Sequence, residues 1–65
     1  MFKLGDILKC KAADLGEVLI LSNETWFDKI LFVTGKRDGD VSFIPHSKRN
    51  YFEKVGNIFE KGAER

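Results

Sequence analysis

The chain contains one histidine, His46, and the side chains that could pair with it as a nucleophile are Cys10 and Ser47. A catalytic constellation needs a nucleophile, a base and an orienting group around a pocket. The interior of a small β domain is filled by its own side chains, which predicts that no cleft of useful size exists. We therefore expect no catalytic activity, and we expect His46 to make local hydrogen bonds within a connector.

The sequence also contains few residues that could bind a metal ion. One Cys and one His do not make a structural zinc site. The segment Asp38-Gly39-Asp40 has acidic spacing that is typical of a calcium loop, but the remaining ligands of such a loop are absent. We interpret this segment as a hairpin turn and Cys10 as a small buried hydrophobic residue. No metal or cofactor is expected.

Two adjacent aromatic residues, Trp26 and Phe27, follow a polar stretch and suggest a binding site. Trp is a frequent hot-spot residue at protein interfaces, so an exposed Trp26 would make a binding anchor. The alternative is that both rings cover one end of a small core. We expect one ring to point inward and the other outward.

Two basic pairs, Lys36-Arg37 and Lys48-Arg49, could contact phosphate groups, with Tyr51 and Phe52 available for base stacking. The alternative is that these pairs are solvated turn residues. Acidic residues are interleaved with them at Asp38, Asp40 and Glu53. This interleaving favours the solvated interpretation.

The overall charge and composition limit the classes of function. The net charge is only +1, whereas phosphate neutralisation supplies most of the affinity of a dedicated nucleic-acid binder. A single cysteine excludes an intramolecular disulfide, which small secreted domains usually need. Met1 leads directly into polar and turn residues without a signal-peptide core. These features predict a cytoplasmic protein.

The elements that must position these residues are five short strands. Alternating or continuous apolar patterns predict strands at 7–12, 17–21, 29–34, 41–44 and 51–55. Trp26 and Phe27 fall in a longer loop after the second strand. Residues 35–40 form a tight hairpin with a glycine at each end, Pro45 ends the fourth strand, and 46–50 form one turn of 3₁₀ helix. Residues 1–57 make one domain and 58–65 a C-terminal tail.

This order of strands resembles the Src-homology-3-like small barrels, the group that includes the KOW and Tudor modules. The residues that carry the resemblance are Phe2, Gly5-Asp6, Leu8 and Cys10, then Gly16, Val18 and Ile20, then Ile30 and Phe32, and finally Gly39 to Pro45. The resemblance implies an all-β fold, a five-stranded barrel, whose closure removes exposed strand edges. An oligonucleotide-binding-like barrel and an open meander with a C-terminal helix remain alternatives. The expected core collects Leu8, Cys10, Val18, Ile20, Ile30, Phe32 and Phe43, with Val55 beside it.

These observations favour a non-catalytic protein-interaction module. Its expected contact surface comprises Trp26, Phe27, Phe43, Tyr51 and Phe52. A free-standing chain of this size and pattern also resembles small phage-encoded proteins, which implies a host protein as the partner and a modulating or inhibitory effect. The alternative is a nucleic-acid-binding barrel of the transcription or translation machinery, with Lys36, Arg37, Lys48 and Arg49 on phosphate groups.

Overall fold

Five antiparallel strands form one sheet in the computed structural model, which describes residues 2–59. The strands are β1 (Asp6–Cys10), β2 (Glu17–Asn23), β3 (Phe27–Phe32), β4 (Val41–Pro45) and β5 (Phe52–Asn57). Their order across the sheet is β4-β3-β2-β1-β5. The all-β class is therefore confirmed, and the predicted 3₁₀ turn is present as a 3₁₀ helix at His46–Tyr51.

The core lies on one face of this sheet, the core face, and follows the period-two pattern of the strands. Six apolar side chains are buried there: Leu8, Val18, Ile20, Ile30, Phe32 and Ile44. Five of them were expected in the core from the sequence, all except Ile44. The side chain of Cys10, also expected in the core, is only half-buried.

Two residues expected in or beside the core are exposed instead. Phe43 is 59% exposed, because β4 pairs Ser42 with Ile30 and Ile44 with Asp28, which turns Ile44 and not Phe43 inward. Val55 is also exposed, because a register irregularity in the β1–β5 pairing shifts the alternation of β5. In each case the alternation of inward and outward side chains is shifted by one residue, so that the residue expected to point inward points outward.

The sequence predicted a longer loop between β2 and β3 and a tight turn between β3 and β4, and the structure shows the reverse. Phe27 and Asp28 belong to β3, so the β2–β3 connection is a short hairpin closed by a hydrogen bond from the Glu24 N–H to the Phe27 carbonyl at 2.8 Å. The connection from β3 to β4 is the longer one, at residues 33–40, and its Gly35 and Gly39 adopt positive φ as expected. β5 ends at Asn57, and most of the predicted tail, residues 60–65, lies outside the described residues.

The sheet does not close into a barrel. Within residues 2–59, β4 pairs with β3 alone and β5 with β1 alone, so the two outer strands share no hydrogen bonds. The 3₁₀ helix connects the end of β4 to the start of β5 and spans the gap between them. No helix in this part of the chain is long and apolar enough to cross a membrane.

Gly16 allows two loops to approach each other closely. Its φ is +85°, and a Cβ atom at this position would lie 2.4 Å from the Thr34 carbonyl oxygen. We expect Gly16→Ala to lower the free energy of unfolding by about 3 kcal/mol, from left-handed backbone strain together with this clash. Gly56→Ala is the matched control, because Gly56 lacks a positive φ and open space surrounds it. Urea unfolding of both variants tests the prediction, and equal stabilities would contradict it.

Candidate functional site

An apolar groove of about 370 Å³ opens between the two outer strands of the sheet. This volume is at the lower end of the range for ligand sites, about 300–1,000 Å³. It corrects the expectation that the interior leaves no cleft, because that expectation assumed a closed barrel, whereas β4 and β5 do not pair. Residues from both sides line the groove, among them Leu15, Phe32, Phe43, Ile44, Tyr51 and Phe52.

The strand register explains how these residues come together. Ile44 points inward from β4, and Phe52 pairs with Cys10 on the other side of the gap. Tyr51 is the last residue of the 3₁₀ helix, which places its exposed ring at the rim. The groove is therefore the continuation of the core between strands that do not meet.

Positive charge accompanies the apolar lining. Arg37 and Lys48 both line the groove, and no Asp or Glu does so among the described residues. The Arg37 guanidinium carbon lies 4.4 Å from the centre of the Phe32 ring, and Lys48 Nζ lies 5.4 Å from the centre of the Tyr51 ring. Both are cation–π arrangements, which hold the two cations beside the apolar surface. An exposed ion pair with Asp40 at 3.5 Å offsets little of the Arg37 charge.

The two aromatic residues of the β2–β3 hairpin have different environments. Trp26 is 79% exposed, whereas Phe27 is half-buried and packs edge-on against Phe43 with ring centres 5.4 Å apart. One ring is thus outward and the other partly inward, as expected. The lining of the groove includes neither of them. Through Phe43, however, Phe27 is continuous with it.

A buried ionic cluster holds the 3₁₀ helix against β3. Asp28 is completely buried and accepts hydrogen bonds from Asn23 Nδ2 at 2.8 Å, Arg49 Nε at 3.2 Å and Arg49 Nη2 at 3.3 Å. His46 Nε2 is buried 3.5 Å from the same carboxylate. Arg49 is therefore held in a structural ion pair, whereas His46 Nε2 lies near the carboxylate without a hydrogen-bond partner in the described part of the chain.

Burial alone would raise the pKa of the Asp28 carboxyl, but hydrogen bonds from Asn23 and Arg49, with the charge of Arg49, hold it below its ordinary value. Asp6 is a second buried carboxylate, on β1. Burial again opposes ionisation, while hydrogen bonds from Asn57 and the Lys3 N–H, with the Lys54 ammonium, lower its pKa. Both side chains therefore stay ionised within the fold, and both stabilise it as anions.

These lowered pKa values predict a loss of stability in acid. A carboxyl whose folded-state pKa lies below its unfolded value stabilises the fold fully at higher pH, and this contribution declines as the pH falls below the unfolded value toward the lowered one. For Asp6 and Asp28 the ordinary value is 3.8. We expect urea unfolding to give its highest free energy near neutral pH and a clear decrease below about pH 5. Equal stability at pH 7 and pH 3 would contradict the assignment.

The structure brings several of the expected site residues together. Phe43, Tyr51, Phe52, Arg37 and Lys48 share the groove. Lys36 is at the β3–β4 loop beside a second cavity that is lined by loop residues, including Asp14 and Gly16. Arg49, expected at a phosphate-binding surface, is instead only 20% exposed and paired with Asp28.

Sequence reasoning missed two contributors to this site. Leu15, in the β1–β2 loop, lines the groove but was interpreted only as part of a turn. Asp28 was assigned to a loop, although it shares its two-residue spacing with the buried Ile30 and Phe32. A charged residue in phase with a core pattern is a signal of a buried ion pair, and it could have identified Asp28.

Comparison of the chain with protein-family models, with curated proteins and with solved structures finds no match. A proposal for the function therefore rests on the groove and its neighbouring side chains.

Proposed function

We propose that this chain is a non-catalytic protein-interaction module that binds its partner through the groove between β4 and β5. The observation that carries the proposal is the combination of apolar lining and exposed aromatic rims at Phe43 and Tyr51. A chain of this size gains stability by covering such side chains, and an exposed cluster of them is typical of a binding surface. Trp26 would extend the contact beyond the groove.

The strand order with a 3₁₀ helix before the last strand supports a Src-homology-3-like arrangement, which remains part of the proposal. We further propose that the partner is a host protein and that the chain acts on it as a phage-type modulator or inhibitor. The cytoplasm is the proposed location, based on the single cysteine.

The proposal predicts that binding depends on the groove rim. The tagged protein would capture its partner from a lysate, and purified variants would then be titrated against that partner. Tyr51→Ala should weaken binding by at least about 2 kcal/mol, roughly 30-fold, while the fold remains intact, because Tyr51 is an exposed aromatic anchor. Trp26→Ala should have a similar effect if the contact extends to the β2–β3 hairpin.

Val55→Ala is the matched control, because Val55 has a similarly exposed apolar side chain on β5 outside the groove. It should bind as the wild type does. Normal binding by Tyr51→Ala would contradict the groove as the contact site. A loss with Trp26→Ala alone would place the contact at the hairpin.

A nucleic-acid-binding barrel is the alternative that we retain. The observation in its favour is that Arg37 and Lys48 line the same groove as Tyr51 and Phe52, which combines cations with rings that could stack on bases. Replacing Lys36, Arg37 and Lys48 together should then abolish retention on single-stranded DNA and flatten its salt dependence. Arg49 is left in place in this variant, since its partner is the buried Asp28.

A further inference from the structure

The outer edge of β4 presents unpaired backbone groups next to the groove. The Phe32 N–H donates to the Asp40 carbonyl and the His46 N–H to the Trp26 carbonyl. Because these bonds alternate along a strand, Ser42 and Ile44 direct their backbone groups toward β3. Val41 and Phe43 therefore direct theirs away from the sheet, where the described residues contain no further strand.

Apart from Pro45 at its C-terminal end, this edge lacks the charges and bulges that usually protect an outer strand from pairing. The other outer strand, β5, carries Glu53, Lys54 and a register irregularity. In β4 the residues Val41 to Ile44 are uncharged, and both outward-facing side chains, Val41 and Phe43, are exposed. Proteins blunt outer strands with charges and bulges, so an uncharged and exposed edge is suited to pairing with an added strand.

The groove lies on the core face of the sheet beside the same edge, since Ile30, Phe32 and Ile44 line it. Ser42 and Ile44 point into it from β4, and Phe52 lines its far side. A strand added to β4 would turn alternate side chains to this core face, since neighbouring residues of paired strands share a face. Those side chains would enter the groove and continue the core across the gap.

The charges of the groove favour an acidic segment as the occupant. Arg37 and Lys48 line it without a carboxylate among the described lining residues. A second copy of this chain, paired through its own β4, would double that positive charge. A carboxylate on either side of an apolar side chain would complement it.

We propose that β4 accepts an extended acidic segment of a partner protein as a sixth strand of the sheet. One large apolar side chain of that segment occupies the groove, and carboxylates two residues before and after it lie on the same face. This inference rests on the proposed function and specifies the chemistry of the partner. It adds main-chain pairing at Val41 and Phe43 to the side-chain contacts of the groove.

The probe is the synthetic peptide acetyl-Glu-Thr-Phe-Thr-Glu-amide, titrated into the ¹⁵N-labelled full chain and followed by NMR. Its Phe and both Glu side chains share one face of a strand. We expect the Val41 and Phe43 amide protons to move to the shifts of hydrogen-bonded amides and to exchange more slowly with solvent. In the matched peptide acetyl-Glu-Phe-Thr-Thr-Glu-amide, the Phe side chain and the two Glu side chains lie on opposite faces of the strand. This peptide should bind at least about fivefold more weakly.

N-methylation tests the main-chain pairing directly. The chain is made by chemical synthesis with an N-methyl group on the backbone nitrogen of Phe43, which leaves the ring unchanged. The fold should be retained, because this N–H has no partner within the sheet. Binding of the probe should be at least about tenfold weaker. N-methyl groups placed in turn along the probe should weaken binding at every second position. Binding that is insensitive to all of these changes would overturn strand addition.

The remaining outcomes separate this inference from the proposed function. If the captured partner needs Tyr51 but binds N-methyl-Phe43 normally, the groove site stands and strand addition is wrong. If sedimentation shows self-association that N-methyl-Phe43 abolishes, the occupant is a second copy and the acidic segment is wrong. If neither Tyr51→Ala nor N-methyl-Phe43 affects the partner, both the groove site and strand addition are wrong.

Discussion

Replacing Phe32 by Ala should leave the chain largely unfolded at room temperature. Phe32 is 4% exposed in β3, lies opposite Val18 of β2 and carries the Arg37 guanidinium on its ring. Loss of a buried Phe side chain costs about 3–5 kcal/mol. A core of this size rarely supplies a net stability above about 3–5 kcal/mol, so the substitution removes most or all of it. Circular dichroism during thermal unfolding would measure the effect.

Two further variants make this result specific to the core. Phe32→Leu retains most of the buried volume and should fold, at a cost below about 1.5 kcal/mol. Phe43→Ala removes a ring that is mostly exposed and should melt close to the wild type. A Phe32→Ala protein with a melting point near that of the wild type would show that this ring does not support the core.

Replacing Asp28 by Ala should be nearly as damaging, for an electrostatic reason. The substitution leaves the guanidinium of Arg49 and the amide of Asn23 without their carboxylate partner. Breaking a buried ion pair by removing one partner costs about 3–5 kcal/mol. Because Arg49 belongs to the 3₁₀ helix, the loss would also release the segment that carries Tyr51 and Lys48 to the groove.

A double-mutant cycle tests that coupling. Arg49→Met removes the charge and retains an apolar stem, so Asp28→Ala combined with Arg49→Met should cost much less than the sum of the two single changes. Urea unfolding of the four proteins gives the coupling energy. Additive single effects would show that the two side chains do not depend on each other.

The sequence identified most of the core-facing residues of the inner strands but not those of the outer strands, and the reason is physical. In β2 and β3 the apolar runs are continuous, but each of these strands pairs with a neighbour on both sides, which fixes Val18, Ile20 and Ile30 on the buried face. In β4 both phases of Val-Ser-Phe-Ile contain apolar residues, and pairing with β3 decides which phase points inward. Hydrophobicity alone therefore favoured Phe43, whereas the register selects Ile44.

The site was only partly predictable for a related reason. The aromatic residues Tyr51 and Phe52 and the cations Arg37 and Lys48 could be identified as candidates from their types. That they share one groove depends on the gap that is left between the outer strands β4 and β5, which is a property of the tertiary structure. Two ion-pair partners, Asp28 and Arg49, lie 21 positions apart along the chain. No local pattern relates them.

The central claim, that this groove is a protein-binding site, is tested most directly by mapping the captured partner onto the labelled chain by NMR. We expect the largest changes in amide shift at residues that line the groove, led by Phe43, Tyr51 and Phe52, with Glu53 and Val55 little affected. Changes concentrated at β1 and β2 on the face opposite the core, with the groove residues unperturbed, would contradict the claim.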